Sequence, residues 1–453
     1  MKKTMLCCAV LLLALAIFGC NRQEKDDGFI RVENGQFIRN GEPYRFIGFN
    51  FWYAGILASE GTGGDRERLH LELDFLKSIG VDNLRIMVGA DGPQNRAKVR
   101  PGLQIQPGVY NDTLLTGLDY LLQELGKRDM LAVLFFNNTW EWTGGYTQYL
   151  EWAGYGKAPV PVIDGWPAFM EYAGQYVNCS PCDSLFRNHV RNIVTRVNSL
   201  TGVPYAEDPA IMSWQVANEP RPMGADNKEA YERFVIGTAD FIKSLDPNHL
   251  VSVGSEGSYG SENDMELYRR VHQAASVDYL TCHIWPKNWS WINQQDIPGS
   301  VERASKLAEG YLAEHIALAV ELNKPIVLSE FGFPRDNHRY DREDPVVARN
   351  AFFCNIFNHL AASAQNSGNF AGCNIWAWGG FARPQHIFWE PGDDYCGDPA
   401  QEEQGLNSVF AQDETVTLIH SFTSLLNHTN EMAVKTSLLS GHDVLCLVQT
   451  PVK

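Results

Sequence analysis

Eight short runs of β-branched and aromatic residues recur along the chain, and segments of helical period separate them. The runs are Arg45–Phe51, Asn83–Val88, Leu131–Asn138, Ile211–Asn218, Leu250–Gly254, Tyr279–Trp285, Pro325–Phe331 and Gly372–Trp378. Strands that read as continuous apolar runs are buried on both faces, and helices between them imply a parallel sheet. The clearest helix lies between the second and third runs, where Leu114, Leu118, Leu121 and Leu125 fall on one stripe that Leu115 and Leu122 widen. Another precedes the second run, with Leu69, Leu73 and Leu76 on one face and Gly80 as its stop. Eight strand-helix units predict an α/β fold, a (β/α)8 TIM barrel.

A barrel of this kind needs about 250 residues, and the chain has 453. The excess is expected in loops on the face beyond the strand C-termini, where barrels build their sites: Thr139–Asn178, Pro286–Ser300 and Gly379–Asn407. All three are rich in Trp, Tyr, Gly or Pro, which implies a large substrate. The net charge is −17 and no Lys/Arg-rich run offsets it, so nucleic acid is excluded as a partner. Twelve Trp and seventeen Tyr supply flat amphipathic surface suited to sugars.

Residues 1–20 read as an export signal. Lys2 and Lys3 precede the apolar stretch Met5–Phe18, which at fourteen residues is too short to span a bilayer. It ends in Ile17-Phe18-Gly19-Cys20, which resembles a bacterial lipoprotein lipobox and implies lipidation of Cys20; an ordinary secretory signal is the other reading. Residues 21–28 form a polar, acidic tether, 29–428 the barrel, and 429–453 a tail with no assignable structure. The expected location is the cell envelope or surface, through a lipid anchor.

Without Cys7, Cys8 and Cys20, seven cysteines remain, so at least one is unpaired. Cys179-Ser-Pro-Cys182 has the spacing of a zinc half-site, but no second pair exists, which leaves a local disulfide or two free thiols. No His-Glu-x-x-His occurs, so no metalloprotease site is present.

Polar residues at the C-terminal ends of apolar strands are the places to look for chemistry. Glu219 ends the fourth run in Ala217-Asn218-Glu219-Pro220-Arg221, Glu256 follows the fifth, and Glu330 ends the seventh in Ser329-Glu330-Phe331-Gly332. Two carboxylates facing one cleft are the equipment for cutting a glycosidic bond. Spacing alone does not choose the pair.

Asn218-Glu219-Pro220 and Glu330-Phe331-Gly332 resemble the retaining glycoside hydrolases of clan A, family 5, and the resemblance runs through most of residues 29–428. Arg85, His283-Ile284-Trp285-Pro286 and Trp376 are similar to that family's strand-end arginine, histidine-aromatic pair and sugar-platform tryptophan. Asn137-Asn138-Thr139-Trp140, Gly144-Gly145-Tyr146-Thr147-Gln148-Tyr149, Gly48–Tyr53 and Arg221 resemble its endo-β-1,4-mannanase group. Thr139 interrupts the usual Asn-Asn-Trp run, strand three carries Asn where many members have His, and Trp285 stands where Tyr is commoner.

The resemblance implies a retaining endo-acting hydrolase of mannan, galactomannan or glucomannan, without cofactor or metal and monomeric. Glu219 would be the general acid/base, and Glu330 the nucleophile kept ionised by Arg85. Asn218 would bond the 2-hydroxyl, His283 would act behind the acids or on the leaving-group side, and Trp376, Trp285 and Trp52 would stack on sugars. Arg221 would bind on the leaving-group side, and Asn138 is a further substrate-binding candidate. Glu256 reads as a cleft-wall acid and Trp214 as core, while Trp289 and Trp291 are equally loop packing or a sugar subsite. A β-1,4-glucanase and a non-catalytic glycan-binding lipoprotein are the alternatives.

Overall fold

The apolar runs form eight parallel strands, each buried along its whole length: β1 (Phe46–Asn50), β2 (Asn83–Met87), β3 (Leu131–Phe135), β4 (Ile211–Gln215), β5 (Leu250–Ser252), β6 (Leu280–Ile284), β7 (Ile326–Phe331) and β8 (Phe370–Ile375). This computed structural model describes residues 27–433, apart from 94–97, 339–340 and 342. The export signal, Cys20, residues 21–26 of the tether and residues 434–453 of the tail lie outside the described residues.

Strand order in the sheet is β5-β4-β3-β2-β1-β8-β7-β6. The two end strands meet through backbone bonds from Asp278 N to Val251 O at 2.8 Å and from His283 N to Glu256 O at 3.1 Å, which bring the sheet round into the barrel. The expected runs overshoot the strands mainly at their C-terminal ends, as at Asn137, Asn138 and Asn218. There the pairing is reduced to isolated backbone bonds, Asn218 N to Asn137 O at 2.7 Å and Thr139 N to Asn218 O at 3.1 Å, and Asn137 Oδ1 accepts from Asn138 N at 2.7 Å.

The helix Asp112–Lys127 buries Leu114, Leu115, Leu118, Leu121, Leu122 and Leu125 against the barrel, and Asn111 caps its start by accepting from Thr113 N at 3.1 Å. Helix Arg66–Ser78 buries Leu69, Leu73 and Leu76, and the chain leaves it through Gly80 at φ 80°.

The end of the barrel away from the site is plugged by an antiparallel sheet, Arg31–Glu33, Gln36–Arg39 and Glu42–Tyr44. Its turns, Asn34-Gly35 and Asn40-Gly41, have positive φ at both residues, which gives each hairpin the twist its strands require. Phe37 is fully buried there against Leu131, Val133, Met212 and Val327 from the strand N-termini. Residues 429–433 belong to the last helix, Thr415–Ala433, which packs on Val347–Gln365, so the tail expected from 429 begins inside a barrel helix. The Thr139–Asn178 loop holds three short α-helices, Gly145–Trp152, Pro161–Asp164 and Trp166–Ala173. A disulfide between Cys179 and Cys182 follows it directly; Cys282, Cys373 and Cys396 are free and buried.

Candidate active site

β4 delivers Glu219 and β7 delivers Glu330 to the same end of the barrel. An oxygen of each carboxylate and a ring nitrogen of His283 lie within 4.8 Å of one another. Carboxyl groups this close suit a covalent glycosyl intermediate; an inverting pair stands roughly 6.5–9.5 Å apart to admit a water. Glu219 has φ 48°, a left-handed conformation that a non-glycine residue adopts only when its surroundings impose it. Here its N–H donates to Gly254 O at 2.9 Å and its carbonyl accepts from Thr139 Oγ1 at 2.7 Å.

Beneath the acids lies a fully buried guanidinium. Arg85 donates through Nη1 to Glu330 Oε1, through Nη2 to Asn218 Oδ1 at 2.8 Å and through Nε to Gln215 Oε1 at 2.7 Å. His283 is equally buried. Burial, and then Arg85's charge, hold its pKa well below the ordinary value, so the ring is neutral. Its Nδ1 faces carboxyl oxygens, Glu219 Oε1 at 2.8 Å and Glu330 Oε2 at 3.3 Å, and the ionised Glu330 can only accept, so the hydrogen sits on Nδ1 and Nε2 accepts from Ser329 Oγ at 3.0 Å.

Burial raises both carboxyl pKa values. Two anions so close in a dry site cannot both persist, so the pair shares one proton. Arg85 bonds Glu330 directly, which puts the charge on Glu330 and the proton on Glu219. On Glu219, burial is opposed by Arg221, by the indole of Trp140, by Arg85 and by the indole of Trp285.

Above the acids opens a cleft of about 620 Å³. Trp376, followed by a cis peptide, and Trp285 meet edge to face at 5.9 Å on its floor. Arg221 holds Glu256 in a two-pronged ion pair, Nε to Oε2 at 2.5 Å and Nη2 to Oε1 at 2.7 Å, on the side of Glu219. The opposite wall comes from the loop after β8, with Phe388, Gln401, Glu402 and Asn407. Burial pushes the Glu402 carboxyl up to about 8. Gln401 Oε1, and Glu141 Oε2 from the loop after β3, are buried and lack hydrogen-bond partners among the described residues.

Glu219, Glu330, Asn218, Arg221, Trp285 and Trp376 therefore line one cleft, as does the wall acid Glu256. Four candidates do not reach it. Trp52 is 1% exposed: it is wedged among Tyr53, Trp142 and Tyr395, and its indole is committed to Gly397 O at 2.8 Å, so it supports the cleft and cannot stack on a sugar. Arg85 and His283 touch the acids from below, not the substrate. Asn138 is buried under Asn218, and its Oδ1 accepts from Asn218 Nδ2 at 3.2 Å and Trp140 N at 3.1 Å. Trp214 is core, stacked on Phe136. Trp289 lines the cleft; Trp291 does not.

Trp140 is a cleft residue, bonded to Glu219, that sequence reasoning left without a role. Its indole N–H donates to Glu219 Oε2 at 2.5 Å, and its ring lies between Arg221, 5.0 Å away, and Phe169, stacked at 6.1 Å. Gly145 makes this possible: at φ 50°, a Cβ there would stand 2.1 Å from Asn138 O, where the loop folds back on itself. The Gly144-Gly145 pair beside Trp140 was the available signal.

A mannan endo-1,4-β-mannosidase of Solanum lycopersicum is 28% identical over 390 residues, covering 82% of this chain and 87% of the relative. A putative mannan endo-1,4-β-mannosidase of Oryza sativa is 30% identical over 371 residues, covering 76% and 82%. The crystal structure of a glycoside hydrolase family 5 mannosidase from Rhizomucor miehei superposes with a TM-score of 0.83 at 33% identity, over 90% of this chain and 100% of that one. A family model described as GH family 5 beta-mannosidase-like matches residues 27–431. The chain thus belongs to glycoside hydrolase family 5, in its β-mannosidase-like branch.

Proposed function

We propose that this glycoside hydrolase cleaves β-1,4-mannosidic bonds of mannan polysaccharides, within the chain, by double displacement. The observation that carries the reaction type is the approach of Glu219 and Glu330 to within 4.8 Å, with Arg85 bonded only to the second. The relatives that act on mannan support the substrate.

In the first step Glu330 attacks the anomeric carbon while Glu219 gives its proton to the leaving oxygen. The glycosidic bond breaks and a glycosyl ester forms. In the second, Glu219, now ionised, takes a proton from water, which attacks the same carbon and releases Glu330. His283, neutral and facing both oxygens, follows the negative charge as it passes from one acid to the other. Asn218 has its Oδ1 fixed by Arg85 and one Nδ2 hydrogen by Asn138, so the second hydrogen faces the cleft and suits a sugar 2-hydroxyl. Trp376 offers its face to the sugar in the reacting subsite.

Sizing the products from unsubstituted β-mannan, with carboxymethyl-cellulose alongside, is the test. Mixed manno-oligosaccharides with cellulose untouched are expected; cellulose cleavage alone contradicts the substrate. One observation favours a second reading, release of single sugars from chain ends: the loop after β8 walls the cleft beside Trp376 with the unpartnered acceptor of Gln401 and the acid of Glu402. Mannose as the sole early product selects it.

Export and lipid anchoring through Cys20 belong to the same proposal, supported by the short apolar stretch and the Gly19-Cys20 junction.

A further inference from the structure

The leaving-group side of the cleft does not end at Arg221. Glu219 protonates the departing oxygen, so sugars towards the reducing end leave past Glu219, Arg221 and Glu256. From there aromatic rings follow one another without a gap. The Arg221 guanidinium lies 5.4 Å from the Tyr259 ring, Tyr259 stacks on Trp289 at 4.5 Å and 25°, and Trp289 meets Trp291 at 5.0 Å. Tyr259 and Trp289 line the cleft; Trp291 lines a second concavity of about 770 Å³ on the outside of the barrel.

That groove runs over the helix Val301–Glu321. Trp291, Tyr311 and Leu307 give it an apolar floor, and Arg303 and Glu314 stand along its edges. Leu307 is 39% exposed. At Gly310 the groove is open, since a Cβ there would meet nothing within 4 Å. Apolar faces bordered by groups that donate and accept hydrogen bonds are what a pyranose chain requires, because each sugar presents C–H faces and hydroxyl edges. The net charge of −17 disfavours an anionic polymer and leaves a neutral one.

We propose that this groove binds the reducing-end part of the same neutral β-1,4-linked mannan chain whose scissile bond lies between Glu219 and Glu330. The Tyr259-Trp289-Trp291 track is the path between the two. This rests on the mannan hydrolase reading above and deepens it: the enzyme holds a polymer at a site that short substrates do not reach.

Two variants test it. Gly310→Arg puts a long side chain into the groove at an open helical position, and Trp291→Ala removes its largest platform. Each is assayed on soluble β-mannan and on 4-nitrophenyl β-mannobioside, and each is run in a native gel containing β-mannan. The expected result is a KM for mannan raised about fivefold, as the loss of one stacked ring suggests. Retardation in the mannan gel should weaken, while kcat/KM on the aryl glycoside holds. Unchanged mannan KM and retardation in both variants overturns the groove and leaves the hydrolase reading standing, as does an equal loss on both substrates. A wild-type protein that cleaves neither substrate overturns the hydrolase reading itself, and with it the inference.

Discussion

The indole N–H of Trp140 donates to Oε2 of Glu219 at 2.5 Å, while His283 faces the other oxygen of the same carboxyl at 2.8 Å. This carboxyl therefore faces an indole N–H and a neutral imidazole, both placed to donate to its ionised form. Burial pushes the Glu219 pKa up, opposed first by the charge of Arg221 and then by the Trp140 indole. Trp140 is held for this task between Arg221 and Phe169.

Trp140→Phe should shift the alkaline limb of the kcat/KM profile to higher pH. Removing the indole donor destabilises the Glu219 anion and keeps the acid protonated further up the scale. A hydrogen bond to a charged group contributes about 1.5–3 kcal/mol, which corresponds to a rise of roughly one to two pH units. The other charged groups that set this limb, Arg221, Glu256, Arg85, Glu330 and Glu402, are untouched by the change. An alkaline limb that stays in place contradicts the role.

Glu219→Ala should separate the two chemical steps. An aryl leaving group departs without a proton, so the variant should release one equivalent of nitrophenol from an aryl mannoside in a burst and then stall, with the glycosyl ester intact. On mannan itself the loss should be about 10²–10⁴-fold, the usual contribution of general acid catalysis. Stopped-flow absorbance reads the burst, and mass spectrometry of the stalled protein reads the ester on Glu330. Slow turnover with no burst contradicts the assignment.

Replacing Arg85 by Ala leaves Glu330 buried without its counter-ion and frees Gln215 and Asn218. A buried charge stripped of its partner costs about 3–5 kcal/mol. Urea denaturation should register that loss, and the kinetics should show a low kcat rather than a high KM, since Arg85 does not touch the sugar. An intact kcat with weakened binding contradicts the positioning role.

Away from the site, Asp119 is fully buried and accepts from Arg196 at 2.6 Å, Ser199 Oγ at 2.6 Å and Tyr205 at 2.6 Å. Burial alone pushes this carboxyl up, but the bonds from Arg196, Ser199 and Tyr205 outweigh it and hold the pKa below the ordinary carboxylate value. The group thus contributes stability above its unfolded pKa of about 3.9, and that contribution fades as pH falls through the folded value. Asp119→Asn should destabilise the protein by roughly 2–3 kcal/mol at pH 7. The gap to wild type in urea unfolding should narrow below about pH 4; a gap independent of pH contradicts the linkage.

Cys20→Ser should move the protein from the membrane to the soluble fraction when cells are fractionated. Continued membrane retention contradicts lipid anchoring at that residue.

The barrel was legible because its strands are buried on both faces and its helices are not, so the two periods separate cleanly along the chain. The meeting of Glu219 and Glu330 in one cleft was legible for a related reason: a carboxylate at the end of an apolar run has few structural excuses. The N-terminal plug was missed, although Asn34-Gly35 and Asn40-Gly41 are hairpin turns spaced for it. Burial was the harder quantity. Trp52, Arg85, Asn138 and His283 stand at strand ends beside true cleft residues, and which side of the carboxylates a side chain occupies depends on loops distant in sequence. Gly397 takes the Trp52 indole from 345 residues away. Trp140 escaped notice because its role rests on a contact with Glu219 across 79 residues, and Thr139 had shifted it out of the familiar run.

The most direct test of the account is the anomeric configuration of the first product formed from a manno-oligosaccharide, followed by proton NMR before mutarotation. Two displacements at one carbon, by Glu330 and then by water, return it to its starting configuration, so the β-anomer should appear first. An α-anomer appearing first would contradict the covalent route through Glu330 and the reading of the close approach of Glu219 and Glu330, within 4.8 Å, on which it stands.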